Sequence, residues 1–161
     1  MTLSALEELT AIEEIKKLKA RRDRAVDLKD WETYTALHAP EHQSHNDGYP
    51  PWTRADMVRH LKETIGHVRL AHHSHTPDIT ILSPDRAKGV WNMEDHHVWL
   101  QGEDLHWMRG YGFYHEEYVR RDGRWLIISR RIQRTMVLAS PGAEHPSKTA
   151  AIKAGYFVGP H

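Results

Sequence analysis

A chain of 161 residues with 22 lysines and arginines against 22 aspartates and glutamates has the size of one domain and can bury about two-thirds of its unfolded surface. It lacks both the basic field that holds a nucleic-acid backbone and an acidic tail. The absence of cysteine excludes disulfides, thiolate nucleophiles and cysteine metal clusters, and suits a reducing cytoplasm. No apolar run approaches the roughly 20 residues needed to cross a bilayer, and the N-terminus has no apolar signal core. The expectation is a cytoplasmic chain with neither membrane nor nucleic acid as partner. Fourteen histidines and six tryptophans are an enrichment of the kind that lines pockets for small, largely apolar ligands.

Ser4 and Glu7 have the spacing of a capping box, and Ile12, Ile15, Leu18, Ala25 and Val26 follow at helical intervals, predicting a helix from about Ser4 to Leu28. Arg22 falls inside its apolar stripe; Asp23 and Asp27, one turn apart, lie beyond the rim. Asp30 caps a short second helix with Trp31, Tyr34 and Leu37. Thr53-Arg54-Ala55-Asp56 caps a third with Met57, Leu61 and Ile65. Between them, His45 to Trp52 is turn chemistry, and its Tyr49 and Trp52 are expected to border a pocket.

From Val68 the period changes to two. Strands are predicted at about 68–75, 77–82, 86–100, 105–120 and 124–138, the long ones forming an antiparallel meander. Trp91, Met93, Asp95, His97 and Trp99 share one strand face, so Asp95 sits on an apolar side. Leu126, Ile128, Arg130, Ile132, Arg134 and Met136 are expected to share another. His96, His106, His115 and His145 are read as surface or interface groups, Trp31 and Trp125 as core, and Arg130 and Arg131 as salt-bridge partners on the sheet. Residues 139–161 are expected to form a loosely ordered extension, in which Tyr156-Phe157-Val158 could dock on a neighbouring subunit. Helices followed by a long bent sheet argue for an α+β domain over residues 1–138, a cone with an interior cavity.

Several segments in this order carry a family resemblance: Ile12 to Lys19, Asp27 with Trp31, His72-His73-Ser74-His75-Thr76-Pro77-Asp78-Ile79-Thr80-Ile81, the strand from Trp91 to Asp95, Gly112-Phe113-Tyr114 and Asp122-Gly123-Arg124-Trp125. Over about residues 10–138 the chain resembles the SnoaL-like branch of the nuclear transport factor 2-like superfamily, and within it the bile acid 7α-dehydratase and scytalone dehydratase type. The resemblance implies a catalytic histidine at His72, its carboxylate partner at Asp95, a helix carboxylate at Asp27 and an arginine at Arg134. Where that pattern has a tyrosine, this chain has Arg22. A homodimer or homotrimer is also implied.

A neutral imidazole can take a proton while a buried carboxylate fixes its tautomer; His72 is the expected base, Asp95 its orienter and Asp27 the acid. Arg22 and Arg134 are suited to an anion, with Tyr49, Trp52, Trp91, His97 and Tyr114 as cavity walls. The expected activity is that of a cofactor-independent lyase, by dehydration or retro-aldol cleavage of a hydroxylated aromatic or polycyclic small molecule. Two other classes are open: a metal enzyme using His73 with His75, or Asp95 with His97, and a ligand-binding or assembly module without chemistry.

Overall fold

The computed structural model describes residues 3–46 and 50–147. Helix α1 (Ala5–Leu28) starts at the expected capping box, in which the Ser4 hydroxyl accepts from the Glu7 amide and the Glu7 carboxylate accepts from the Ser4 amide. Lys29 ends it in the left-handed conformation. Helix α2 (Trp31–Ala36) is capped by Asp30, and α3 (Arg54–Ile65) by Thr53. The strands are β1 (His38–His45), β2 (Trp52–Thr53), β3 (Arg69–Ser83), β4 (Arg86–Gln101), β5 (Asp104–Arg121) and β6 (Arg124–Ala139). They form one sheet in the order β2-β1-β6-β5-β4-β3, antiparallel except where β1 runs parallel to β6. The α+β class holds, and among the described residues no helix is long and apolar enough to cross a membrane.

Three features depart from the sequence expectation. The predicted strands at 68–75 and 77–82 are one strand, β3, whose pairing with β4 slips between His75 and Asp78; Thr76 takes a positive φ of 35° there. A bulge carries the chain past Pro77, which cannot donate to the ladder. Strand β1 was not expected, because His38–His45 shows no apolar alternation; parallel pairing with β6 makes it a strand. Finally, β6 changes phase twice, where Ile128 and Thr135 are passed over in the pairing with β5. Each extra residue turns the following side chains to the other face. Trp125 and Ile127 therefore point into the core, whereas Leu126 and Ile128 do not share the inward face of Arg130, Ile132 and Arg134.

The core has two parts. One packs Ile15 and Leu18 of α1 on Trp91, Met93, Tyr118 and Ile127; the other packs Val26, Tyr34, Met57 and Ile65 on Trp99, Met108 and Val137. Trp125 is core, as expected, and Trp31 packs against the second cluster. Within this interior His38 and His42 are buried, each ring Nδ1 at a backbone carbonyl, Tyr34 O at 2.6 Å and Ile127 O at 3.2 Å.

Burial first, then the charges of Arg130 and Arg22, push the His42 imidazole down to about 3; burial drives His38 well below its ordinary value. The folded protein thus refuses protons that the unfolded chain accepts below about pH 6.5. Stability is full above that pH and falls as the pH drops towards 3, with a slope of roughly 1.4 kcal/mol per pH unit for each such histidine. Urea unfolding from about pH 7 to pH 4.5 measures this; a flat profile contradicts it.

Candidate active site

The cavity that the sheet and helices enclose has a volume of about 200 Å³. Its walls come from α1 (Arg22, Val26), α3 (Met57, Leu61), β4 (Asp95, His97), Tyr114 of β5 and Arg130, Ile132 and Arg134 of β6. His72 reaches it from β3.

Alternation on β3 turns His72 inward beside the last turn of α1, and there Asp27 grips it twice. The His72 backbone N–H donates to Asp27 Oδ2 at 2.9 Å, and its ring Nδ1 lies 2.6 Å from Oδ1. The ring is 8% exposed. His72 lines the cavity and Asp27 does not; Asp27 lies in a groove on the other side of the ring. With Nδ1 donating to the carboxylate, Nε2 is the nitrogen left bare on the cavity side. This corrects the expected pairing of His72 with Asp95. It also removes Asp27 as the acid, since both its oxygens accept N–H bonds.

Asp95 is instead half of a two-pronged ion pair. Arg134 Nη1 and Nη2 lie 3.0 and 2.6 Å from its two oxygens, and His97 Nε2 is 3.5 Å from Oδ2. Burial by itself would raise the Asp95 carboxyl, but the charges of Arg134 and His97 outweigh it and hold the group well below the usual carboxylate range. Gly110, opposite Asp95 on β5, is what makes room: a β-carbon there would overlap both Arg134 and Asp95.

Arg22 is buried and donates to Asp23 at 2.9 Å and to the Tyr34 hydroxyl at 3.0 Å, while Ser74 donates to Asp23 at 2.7 Å. Deeper still, Lys19 pairs with Glu116 at 2.5 Å and sits 3.9 Å over the Tyr114 ring.

Other expectations resolve unevenly. Trp52, His97 and Tyr114 line the cavity as anticipated. Trp91 does not: its indole N–H donates to the Tyr118 hydroxyl at 2.7 Å within the core, so it is a packing residue. Tyr49 and the Tyr156-Phe157-Val158 segment lie outside the described residues.

Two residues that the sequence analysis assigned elsewhere line the cavity. His145, read as a surface group, is only 5% exposed. The segment after β6, expected to be loose, folds back through Ser140 on Trp107 and Glu144 on Gln101, placing the His145 ring against Trp99 and 2.7 Å from His97 Nδ1. Burial, then His97 and Arg134, push His145 down to about 3, and burial also lowers His97 against the pull of Asp95. The contact between the two rings is a single N–H shared by His97 Nδ1 and His145 Nε2. Arg130, expected in a salt bridge on the sheet, is also 5% exposed and lines the cavity; the only hydrogen bond of its guanidinium among the described residues goes to Ser44 Oγ at 3.2 Å.

His72, Asp95 and His97 each bring a ligand-capable atom within 4.8 Å of the others, as do His73, His75 and Glu94 on the outer face. For the first group to hold a metal, Asp95 would have to surrender its guanidinium fork, and Arg134 would face the cation.

A SnoaL-like domain model matches residues 7–131. The chain belongs to the SnoaL-like family. Solved structures confirm this fold. A candidate scytalone dehydratase from Novosphingobium aromaticivorans aligns with a TM-score of 0.77 at 19% identity, covering 88% of this chain and 95% of that one. The hexachlorocyclohexane dehydrochlorinase LinA-type3 from Novosphingobium barchaimii aligns with 0.75 at 15%, covering 88% and 97%. A candidate aromatic ring hydroxylase from N. aromaticivorans aligns with 0.72 at 16%, covering 86% and 96%. These SnoaL-like neighbours thus include a dehydratase candidate and a dehydrochlorinase.

Arg134→Met should leave Asp95 buried without its counter-charge and destabilise the fold by about 3–5 kcal/mol, whereas the double variant Asp95→Asn with Arg134→Met should recover much of that loss. Urea unfolding of the wild type, the Asp95→Asn and Arg134→Met single variants and the double variant measures the coupling; additive losses would show that the pair does not act as a unit.

Proposed function

We propose that the chain is a cofactor-independent lyase that removes water, or splits a carbon–carbon bond in the retro-aldol sense, from a hydroxylated aromatic or other small cyclic substrate. The observation that carries this reading is the double grip of Asp27 on His72, with the free ring nitrogen on the cavity side. Such a grip fixes the tautomer and stabilises the imidazolium once Nε2 has taken a proton.

In the dehydration, Nε2 removes a proton from the carbon next to an activating group, and the electron pair of that C–H bond forms the new double bond. The C–O bond breaks, and the departing oxygen takes the proton back from the imidazolium, so that water leaves and His72 returns to its starting state. Asp27 holds the ring and balances its transient charge; it is a positioning residue. Arg134, fixed by Asp95, presents a permanent cation to oxygen that gains negative charge, and Arg22 supports the same wall. Tyr114, Trp52 and His97 are substrate contacts in this scheme. Burial raises the Tyr114 phenol, so its hydroxyl stays protonated and can donate to the leaving oxygen.

Size supports a small substrate. An engineered apolar cavity of about 150 Å³ accepts benzene, so about 200 Å³ suits one or two rings better than a steroid. The gathering of His72, Asp95 and His97 favours one second reading, a metal-dependent enzyme. Elemental analysis of the purified protein distinguishes the two, since that reading requires a stoichiometric ion lost in His97→Ala.

His72→Ala should lower turnover by about 10²-fold or more with the fold intact, as for loss of a general base. Asp27→Asn should lower kcat more than it changes KM. The measurement is the absorbance of newly formed conjugated double bonds over a panel of hydroxylated cyclic substrates. Full activity in His72→Ala would remove this imidazole from the mechanism.

A further inference from the structure

The charges that line the cavity do not balance. Of its three guanidiniums, Arg134 is matched by Asp95 and Arg22 by Asp23. Arg130 has no carboxylate within ion-pair distance among the described residues, although it is 5% exposed. Its partner across the β5–β6 ladder is Glu116, but that carboxylate is spent on Lys19 at 2.5 Å and the Tyr118 hydroxyl at 2.7 Å. His42 and His38, packed beside it, are kept neutral and supply no negative charge.

The cavity is also short of acceptors. Arg130 Nε, Arg22 Nε, Asn46 Nδ2 and His60 Nε2 are buried without a hydrogen-bond partner, and all four residues line the cavity. The guanidiniums of Arg130 and Arg22 lie 5.6 and 5.5 Å from the centroid of the same Tyr114 ring, and both charges bear on His38 and His42. A buried cation with unfilled donors is costly in the empty protein, and an anion supplied by the ligand removes that cost.

We propose that Arg130, with Arg22 and Asn46 beside it, forms a binding subsite for the carboxylate of a small aromatic or cyclic acid. The guanidinium fork matches the two oxygens of a carboxylate, which a single phenolate oxygen cannot do. The inference rests on the cavity being the substrate site. It extends the proposed function by naming a hydroxylated cyclic or aryl-bearing carboxylate as the substrate class and Arg130 as the residue that selects it. The segment containing β1 acquires a role in that binding, since Ser44 Oγ accepts a hydrogen bond from the guanidinium.

The test is calorimetric titration of the full chain with benzoate, benzamide and phenol. Benzoate should bind about tenfold to a hundredfold more tightly than benzamide, the difference expected for hydrogen bonds to a charged group. Arg130→Met should abolish that preference and leave benzamide binding within about twofold, and its melting temperature without ligand should not fall, because an unmatched buried charge has been removed. Arg130→Lys keeps the charge but loses the fork, and should retain only part of the preference. It serves as the reading if the methionine variant does not fold. No benzoate binding in the wild-type protein, phenol bound as tightly as benzoate, or an unchanged preference in the Arg130 variants would overturn the proposal. Benzoate binding involves no turnover, so failure of the lyase chemistry and failure of the subsite are separable.

Discussion

One carboxylate making two hydrogen bonds organises the centre of this molecule. Asp27, in the last turn of α1, accepts from both the backbone and the ring of His72, so it ties the helix to the edge strand β3 and sets the imidazole in one orientation. The backbone bond holds the carboxylate in place, so the ring cannot turn over without losing its Nδ1 bond to it. The consequence is a bare Nε2 presented to an enclosed space, which is the arrangement that proton abstraction from carbon requires.

Around that contact the interior is built from matched charges rather than from apolar groups alone. Lys19 with Glu116, Arg22 with Asp23 and Arg134 with Asp95 are all buried or nearly so. Pairs of this kind are weak contributors to stability, because desolvation offsets most of the attraction. Their value here is geometric: they fix the positions of permanent charges around a cavity that otherwise has Trp52, Met57, Ile132 and Val137 in its walls. Gly110 shows how tight the arrangement is, since the Asp95–Arg134 pair occupies the volume of its missing side chain. Arg130, the one cavity guanidinium without a carboxylate partner among the described residues, stands out against this order.

Much of the fold is legible in the sequence because its signals are local. The Ser4–Glu7 box, the Asp30 and Thr53 caps and the strict alternation from Ala87 to Trp99 each act through neighbours in the chain, and the structure reproduces them. The cone and the inward placement of His72, Asp95, His97 and Arg134 followed from that pattern and from the family resemblance. What escaped depends on contacts distant in sequence. Strand β1 exists because β6 offers it hydrogen bonds. Arg130 faces inward with Ile132 rather than with Leu126 and Ile128 because of a bulge that no period-two reading can locate. His145 enters the cavity through a turn anchored on Trp107 and Gln101. The exchange of partners between Asp27 and Asp95 is of the same type: strand alternation places Asp95 beside His72, and only the helix position shows that Asp27 arrives first.

The central claim is that His72 exists as a single tautomer, protonated on Nδ1 and bare on Nε2. Long-range proton–nitrogen correlation NMR of the nitrogen-15-labelled protein near neutral pH reads this directly. A pyrrole-type Nδ1 and a pyridine-type Nε2 are expected for His72, with the pattern lost in Asp27→Asn. A proton found on Nε2, or two nitrogens averaged by exchange in the wild-type protein, would contradict it.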